Sequence, residues 1–347
     1  MPPETPFWDR AAYARRRPYL AARGRILAGL RELFGQQGFA EVETPALQVS
    51  PGLEVHLRAF ATDLNEPFGQ GRRRMYLHTS PEFAMKKLLA AGEEKIFQFA
   101  RVWRDGERAA THHPEFTMLE WYRKDASLDA LAADCADILR VAMDAAGGGK
   151  LCWQGRTCDA SLAPEVLTVA EAFDRYCGID ILATAPDPAA PDAALLRAAA
   201  KAAGIAVPDA GDWEDVFFHI FLDRIEANLG HGRATLLAQY PVSMAALARA
   251  APHDPRVSLR AELYVCGLEL ANGFDELTDA ALQRARFEAD MKKKQALYGE
   301  AYPIDEDFLA ALVHMPAAAG MALGFDRLVM LATGAADITD VLWAPVA

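Results

Sequence analysis

The sequence predicts an α+β fold, and three parts of the chain carry that prediction. Segments 96–104 and 115–123 are rich in aromatic, β-branched and long apolar residues and enclose a polar loop, which is typical of two paired strands. Segment 20–37 places its apolar residues at helical spacing. A run of small residues at 321–324 predicts a strand that leads into a helix opening at Asp326. Strands and helices therefore share the chain, as in an α+β domain.

The composition restricts the class of protein. The 347 residues are 52% hydrophobic, which is enough for a large packed core. No apolar run approaches the roughly 18 residues that a membrane span needs, and the N-terminus lacks the apolar core of a signal peptide. Five cysteines form no CxxC pair, so we expect reduced thiols in a cytoplasmic protein. The net charge of −12 argues against a broad nucleic-acid surface and suits a basic partner or a cationic small substrate.

The two strands around the polar loop are the first candidate for a site. Alternation along the second strand puts Phe116, Met118, Glu120 and Tyr122 on one face, and Arg104 ends the first strand. Such a face can stack on a planar ring and hold a cation, while Arg104 can hold an anion. The alternative is an ordinary amphipathic hairpin whose surface charges form salt bridges.

Segment 76–85 predicts a short strand followed by a helix. Thr79 or Ser80 suits the N-cap, Pro81 suits the first helical position, and Glu82 lies in the first turn. These residues could equally be a well-capped helix start and nothing more. We expect the two lysines of this helix to lie on a solvated face: Lys86 and Lys87.

The second half of the chain supplies further elements. Segment 125–150 predicts an amphipathic helix closed by glycines, and segment 151–233 predicts a helical insertion with helices at 169–176, 193–203 and 213–229. Segment 263–270 predicts a buried strand, followed by a glycine-containing turn. Glu269 interrupts this apolar run, which is costly unless the carboxylate is hydrated at a strand end, paired or bound to a metal.

Together these segments resemble a known superfamily. Arg104, the loop and the run HxPEFTMLEWYR from His112 to Arg123 resemble motif 2 of the class II aminoacyl-tRNA synthetases. PEFTMLEWYR resembles the lysyl-tRNA synthetase branch, and most closely the elongation factor P–(R)-β-lysine ligase family, a truncated paralogue. Segment 39–50, a strand ended by Pro45, resembles motif 1, and segment 320–332 resembles motif 3. The resemblance implies one catalytic domain over 1–347, built on a mostly antiparallel sheet flanked by helices, and a homodimer that pairs through motif 1.

The resemblance also implies residue roles. Glu82 would pair with the ammonium group of an amino acid and Glu276 with its distal amine. The substrate-binding set is Ser80, Glu82, Glu120, Tyr122, Asn272, Glu276 and Ala322. The ATP-binding set is Arg104, Glu107, His113, Phe116, Glu269, Leu270, Gly324 and Arg327. The catalytic residues would be Arg104, Arg327 and Glu269, with Glu269 also holding Mg²⁺, a metal that prefers oxygen ligands.

The implied reaction is attack of the substrate carboxylate on the α-phosphate of ATP, giving an adenylate and pyrophosphate. The acyl group would then pass to a lysine side chain of elongation factor P. Motif 1 begins near residue 39, which leaves no room for the five-stranded OB-fold that reads an anticodon. Ala322 stands where lysyl-tRNA synthetases have glycine, and the ligase family, which accepts (R)-β-lysine, has alanine there.

Two positions depart from the resembled pattern. Gly106 occupies the place of a glutamate that contacts adenine, so either Glu107 replaces it or adenine is recognised by the backbone alone. His113 replaces the asparagine before Pro-Glu-Phe. Two other functions stay open: activation of α-lysine for a different acceptor, and a catalytically silent paralogue that acts as a regulatory module.

Overall fold

The computed structural model describes residues 6–346 and contains an eight-stranded sheet. The strands of the first half are β1 (Ala40–Glu41), β2 (Leu47–Gln48), β3 (Ala61–Asn65), β4 (Arg72–Leu77), β5 (Lys95–Trp103) and β6 (Glu115–Lys124). Those of the second half are β7 (Leu151–Trp153), β8 (Arg156–Cys158), β9 (Glu165–Thr168), β10 (Thr235–Ala238), β11 (Ala250–Ala251), β12 (Asp254–Ser258), β13 (Arg260–Val265), β14 (Leu268–Asp275) and β15 (Ala318–Gly324).

The order across the main sheet is β1-β5-β6-β15-β14-β13-β10-β9. The outermost strands, β1 and β9, run parallel to their neighbours, and every other adjacent pair in the sheet is antiparallel. The predicted α+β class with a mostly antiparallel sheet is therefore confirmed. Strand β15 joins two hairpins, because it pairs with β6 on one side and with β14 on the other.

Helices cover the sheet. They are α1 (Arg10–Gln36), α2 (Glu82–Ala91), α3 (Leu128–Ala146), α4 (Val169–Cys177), α5 (Ala193–Ala202), α6 (Trp213–Ile220), α7 (Ala280–Tyr298), α8 (Glu306–Leu312), α9 (Phe325–Thr333) and α10 (Ile338–Val341). Helix α1 starts before the predicted residue 20, because Asp9 caps it by accepting hydrogen bonds from the backbone of Ala11 and Ala12. Its buried side chains include Ile26, Leu30 and Phe34.

Alternation along the strands separates a core face from a polar face. Leu119 and Trp121 of β6 and Met321 of β15 pack into the core beneath α1, α3 and α9. The residues between them in sequence, such as Glu120 and Ala322, therefore point to the other side of the sheet. This polar face carries most of the residues that the sequence assigned to a site.

Other boundaries also differ from the predictions. The predicted strand before Pro45 is only the two-residue β1, because the chain pairs with β5 at residues 40 and 41 alone. The predicted N-cap at Thr79 or Ser80 is wrong, since Pro81 occupies that position and α2 begins at Glu82.

The predicted strand at 263–270 is also wrong. The chain turns at Cys266 and Gly267, both with positive φ, as a two-residue hairpin turn requires. Segment 268–275 is therefore a second strand, and its Gly273 lies inside β14 rather than in a turn. A side chain at Gly273 would collide with the carbonyl oxygen of Gly320, at 2.7 Å, so glycine is needed for close strand packing.

Segment 151–233 contains the three predicted helices and also three strands. Strands β7 and β8 form a hairpin, and β9 joins the main sheet beside β10. Helices α4, α5 and α6 pack around a separate hydrophobic cluster that includes Phe173, Trp213 and Phe217. The third predicted helix, 213–229, is regular only to Ile220 and continues in π and 3₁₀ turns.

The five cysteines are free. Within residues 6–346, no helix is both long and apolar enough to cross a bilayer.

Candidate active site

The site is built on a row of residues that crosses the sheet. Glu120 of β6 lies opposite Ala322 of β15, which lies opposite Asn272 of β14, and Asn272 lies opposite Glu262 of β13. In the neighbouring row on the same face, Tyr122 pairs with Gly320. Residues that are distant in sequence are therefore adjacent because strand register fixes them.

One end of this face is an acidic pocket, formed by Ser80, Glu82, Glu120, Tyr122, Glu276 and Lys86. Ser80 Oγ donates a hydrogen bond to Glu120 Oε2 at 2.7 Å, and the Tyr122 hydroxyl donates to Glu120 Oε1 at 2.5 Å. Lys86 Nζ contacts Glu82 and lies 2.6 Å from Glu276 Oε2. All of the predicted substrate residues in this pocket are thus brought together.

Lys86 was predicted on a solvated face, and that prediction is wrong. Its side chain is only 1% exposed and lies between two carboxylates from different elements, Glu82 of α2 and Glu276 after β14. Burial lowers the pKa of Lys86, but Glu276 and Glu82 raise it more, so the net shift is upward. The ammonium group is therefore a fixed positive charge inside the pocket.

Burial changes the ionisation of the other groups. The pKa of Glu120 is raised to about 8, chiefly by burial and then by Glu82, despite hydrogen bonds from Tyr122 and Ser80. The pKa of Glu276 is also raised to about 8 by burial, with Lys86 acting in the opposite direction. These carboxylates would become fully charged only when a further cation enters the pocket.

Gly320 makes room for the phenol. A Cβ at this position would lie 2.2 Å from Tyr122 Cε1 and 2.7 Å from Glu276 Oε1. The ring of Tyr122 therefore lies directly against the backbone of β15. Any side chain at residue 320 would displace both the phenol and the carboxylate.

The other end of the face is a cavity of about 510 Å³, here called the arginine cavity. All eight residues of the predicted ATP-binding set line it: Arg104, Glu107, His113, Phe116, Glu269, Leu270, Gly324 and Arg327. Asn272 and Ala322 also line it, and Ala322 belongs to the same row as Glu120. The arginine cavity and the acidic pocket are therefore neighbouring parts of one surface.

The two arginines are held differently. Arg327 donates to the carbonyls of Glu269, at 2.8 Å, and Thr111, at 3.1 Å, and its Nη2 lies 2.7 Å from His112 Nε2. Arg104 lies over the ring of Phe116, 5.1 Å from its centroid. Its buried Nε has no hydrogen-bond partner among the described residues. A buried donor without a partner is costly, so this guanidinium is arranged for an anion that enters the cavity.

Glu269 lies close to Glu262, a residue that the sequence analysis missed. Glu262 accepts hydrogen bonds from the hydroxyls of Tyr240, at 2.5 Å, and Tyr264, at 2.6 Å. The pKa of Glu269 is raised to about 7 by burial and then by Glu262, while nearby arginines act against both effects. The alternation of β13 would have exposed Glu262 as a site residue if the turn at 266–267 had been recognised.

The two histidines of the loop both line the arginine cavity but have different partners. His113 is 3% exposed, and its ring nitrogens lie 2.6 Å from the Glu115 carbonyl and 3.1 Å from the Val346 amide nitrogen. His112, which received no role in the sequence analysis, contacts Arg327. The chain at Gly106 has a positive φ, and Glu107 lies 3.8 Å from Arg104.

Comparisons with known proteins agree with this geometry. The family model described as tRNA synthetases class II (D, K and N) matches residues 9–346. A protein of Sodalis glossinidius named elongation factor P–(R)-β-lysine ligase is 40% identical over 325 residues, covering 93% of each chain. This chain belongs to the elongation factor P–(R)-β-lysine ligase family. Equally named relatives from Pectobacterium carotovorum and Haemophilus influenzae strain PittGG are each 38% identical, the first over 98% of this chain and 97% of its own length, the second over 93% of each.

Membership in the ligase family identifies both the fold and the class of reaction. The full-length match means that the sheet, its covering helices and the segment 151–233 all belong to the matched region. The roles of individual residues rest on the geometry above.

Proposed function

We propose that this chain activates (R)-β-lysine with ATP and transfers it to a lysine side chain of elongation factor P. One observation carries this proposal: a buried acidic pocket lies beside a cavity lined by two arginines, on one face of the sheet. The acidic pocket suits a substrate with two ammonium groups. The arginine cavity suits a triphosphate, since guanidinium groups bind phosphate oxygens in a fixed geometry.

The amino acid would lie along β6 and β15. Its distal ammonium would meet Glu276, Glu120 and the Tyr122 hydroxyl, and all three residues are buried. Because β6 runs from Phe116 to Tyr122, the carboxylate end of the substrate would then point toward Arg104. Ala322, in the row between the two regions, would contact the carbon chain and influence which isomer is accepted.

The nucleotide would lie in the arginine cavity. Phe116 would stack on adenine, and Arg104 and Arg327 would bind the phosphates. The substrate carboxylate attacks the α-phosphate, forming an acyl–phosphate bond and releasing pyrophosphate. Here the chain acts by positioning the two reactants and by neutralising the charge that develops.

A magnesium ion fits the donor set beside the nucleotide. Glu262 raises the pKa of the neighbouring Glu269 carboxyl, an effect that a divalent cation beside Glu269 would offset. Within residues 6–346 no group of three or more His, Cys, Asp or Glu side chains could hold a metal, so phosphate oxygens would complete the coordination. The ion would supply charge neutralisation on the phosphates.

In the second step, the ε-amine of the acceptor lysine attacks the acyl carbonyl of the adenylate. The carbon–nitrogen bond forms, the bond to the phosphate breaks, AMP leaves, and the amine loses a proton.

We also propose a single catalytic domain with 151–233 inserted in it, a cytoplasmic location, and a homodimer through α1 and the Pro45 region. The edge position of β1 supports the dimer, because an edge strand can pair with a second chain.

The test is an intact-mass assay with purified elongation factor P, Mg-ATP and either (R)-β-lysine or α-lysine. We expect a single lysyl-sized gain in mass, formed faster with the β isomer. A gain with α-lysine alone contradicts the isomer assignment. No gain from a preparation that still exchanges pyrophosphate into ATP would mean that the acceptor is a different molecule, and no exchange would indicate a silent paralogue.

A further inference from the structure

The loop between β2 and β3 places one more carboxylate at the site. Glu54 lines the arginine cavity and also a small cavity of about 30 Å³ that it shares with Glu82 and Asp290. It is therefore located at the border between the acidic pocket and the arginine cavity. Neither the sequence analysis nor the reaction described above gives Glu54 a role.

One oxygen of the half-buried Glu54 side chain lacks a partner. Its Oε2 atom is closed to solvent and has no hydrogen-bond partner among the described residues. Lys294 is a neighbouring cation, but its ammonium donates to the carbonyls of Val55, at 3.0 Å, and Leu57, at 2.6 Å. A buried carboxylate without a partner costs stability, so its presence needs an explanation.

The loop holds this carboxylate in a fixed position. The backbone and the hydroxyl of Thr79 both donate to the Pro51 carbonyl at 2.9 Å, and Lys294 fixes the chain after Glu54. At Gly52 a Cβ would lie 2.8 Å from Glu54 Oε2 and 2.7 Å from Thr79 Oγ1. Glycine at this position therefore leaves the space that the carboxylate occupies.

The surrounding charges indicate what Glu54 can bind. Glu82 is close enough to raise the pKa of Glu54, after burial itself, while Arg104 and Lys294 act in the opposite direction. Glu82 already contacts Lys86, whereas no salt bridge pairs Glu54 among the described residues, so Glu54 adds a carboxylate that a cation of a ligand could bind. Arg104 is on the adjoining wall, so that cation would belong to a molecule whose carboxylate end lies near Arg104.

We infer that Glu54 and Glu82 form a subsite for the ammonium group nearest the carboxylate of the amino acid. This inference rests on the proposed function and extends it. Glu276, Glu120 and Tyr122 would then hold the distal ammonium, so that each ammonium group has its own carboxylates. Glu54 would be a specificity-determining residue, because it distinguishes a diamino acid from an amino acid that lacks the proximal amine.

The test compares three substrates in amino-acid-dependent pyrophosphate exchange: (R)-β-lysine, α-lysine and 6-aminohexanoic acid, which has only the distal amine. In Glu54→Gln we expect KM for the preferred diamino acid to rise roughly 10- to 100-fold, the range for loss of a charged hydrogen bond. KM for 6-aminohexanoic acid and for ATP should change less than about threefold, because neither contacts Glu54 through an ammonium group.

Asp290→Asn is the matched control, since it removes a carboxylate from the same small cavity but away from the arginine cavity. We expect it to leave KM for every substrate within about threefold. Glu54→Asp, which keeps the charge on a shorter side chain, should fall between wild type and Glu54→Gln. Thermal unfolding should show Glu54→Gln to be at least as stable as wild type, because it removes an unpaired buried carboxylate.

Equal losses on all three amino acids, or no loss with the diamino acid, would overturn the role of Glu54. An equal rise in KM for Asp290→Asn would also overturn the role of Glu54, since the rise would then come only from the removal of a negative charge from the small cavity. If the wild-type protein exchanges pyrophosphate with none of these substrates, the proposed function and this inference both fail. If wild type exchanges pyrophosphate and Glu54→Gln does so equally well, only the inference about Glu54 fails.

Discussion

In the acidic pocket, Glu120 accepts hydrogen bonds from Ser80 and Tyr122, and Lys86 neutralises two further carboxylates. In the arginine cavity, Arg327 binds main-chain carbonyls, and Arg104 has a buried nitrogen without a partner among the described residues. The acidic pocket thus contains one cation and keeps carboxyls of raised pKa for a second, while the arginine cavity keeps a hydrogen-bond donor for an anion.

This difference indicates how each of the two regions acts on its substrate. The acidic pocket selects by burial, because only a cation with the right spacing compensates carboxylates that are shielded from water. The arginine cavity acts on charge that increases during the reaction, which is where a fixed guanidinium stabilises a transition state. Changes in the first region should therefore alter stability and amino-acid KM, and changes in the second should alter kcat.

The largest effect should come from Lys86→Met. It leaves Glu82 and Glu276 facing each other without a cation, and breaking a buried ion pair typically costs about 3–5 kcal/mol. Urea unfolding at pH 8 measures the loss. Lys87→Met is the control, since Lys87 is 26% exposed and pairs with one buried carboxylate, Asp305, and one exposed carboxylate, Asp307, so its loss should be smaller than that of Lys86→Met. Equal losses in the two variants would contradict a buried charge at residue 86.

Arg104→Ala should lower kcat for pyrophosphate exchange by about 10²–10³-fold, the usual cost of removing one transition-state donor. The control is Arg101→Ala, three residues earlier on β5 and with an exposed side chain. A decrease below tenfold for Arg104→Ala, or one equal to that of Arg101→Ala, would show that the unpartnered guanidinium is not used in the reaction.

Gly320→Ala should affect only the acidic pocket. The added methyl would collide with the Tyr122 ring, and overpacking of this kind costs about 1–3 kcal/mol. We expect KM for the amino acid to rise about tenfold while KM for ATP is unchanged. Gly24→Ala, in α1 with no atom within 4 Å of its added Cβ, is the control and should leave both constants unchanged. A rise in KM for ATP would mean that the two regions are not separable.

The smallest effect concerns pH. The pKa of Glu120 and that of Glu276 are raised to about 8 in the folded protein, so their contribution to stability is complete below the ordinary glutamate pKa and is lost as pH rises through 8. We expect the free energy of unfolding to fall as the pH rises from 6 to 8, because the unfolded chain releases these two protons at lower pH than the folded protein does. Glu120→Gln should make the slope shallower, and saturating amino acid should do the same. If the free energy of unfolding of the wild type does not change with pH, the prediction that these two carboxyls have raised pKa values is wrong.

Much of this architecture could be predicted from local sequence. The hairpin of β5 and β6 was predicted within one residue at each end, because aromatic and β-branched runs around a polar loop are a strong local signal. The joint between β15 and α9 was predicted from the run of small residues before Asp326, although β15 begins earlier, at Ala318, and α9 begins at Phe325. The predicted members of the site did come together, since the motif resemblance carried information that no single segment holds.

The errors arose where the answer depends on distant residues. Lys86 has the sequence context of a surface lysine, and only the arrival of Glu276 from β14 makes it a buried charge. The turn at Cys266 and Gly267 was missed because the apolar run continues through it. Glu54 lies in a loop without regular structure, so nothing in its local pattern indicates burial against Glu82.

The position of β15 has a consequence for how the enzyme is made. Strands β5 and β6 can pair early during synthesis, and β13 and β14 can pair later, but the two hairpins are joined only by residues 318–324 near the end of the chain. A nascent chain that stops before these residues has Glu120 on one half and Asn272 on the other. We therefore expect the ability to consume ATP to appear abruptly, late in translation, rather than in a partly synthesised chain on the ribosome.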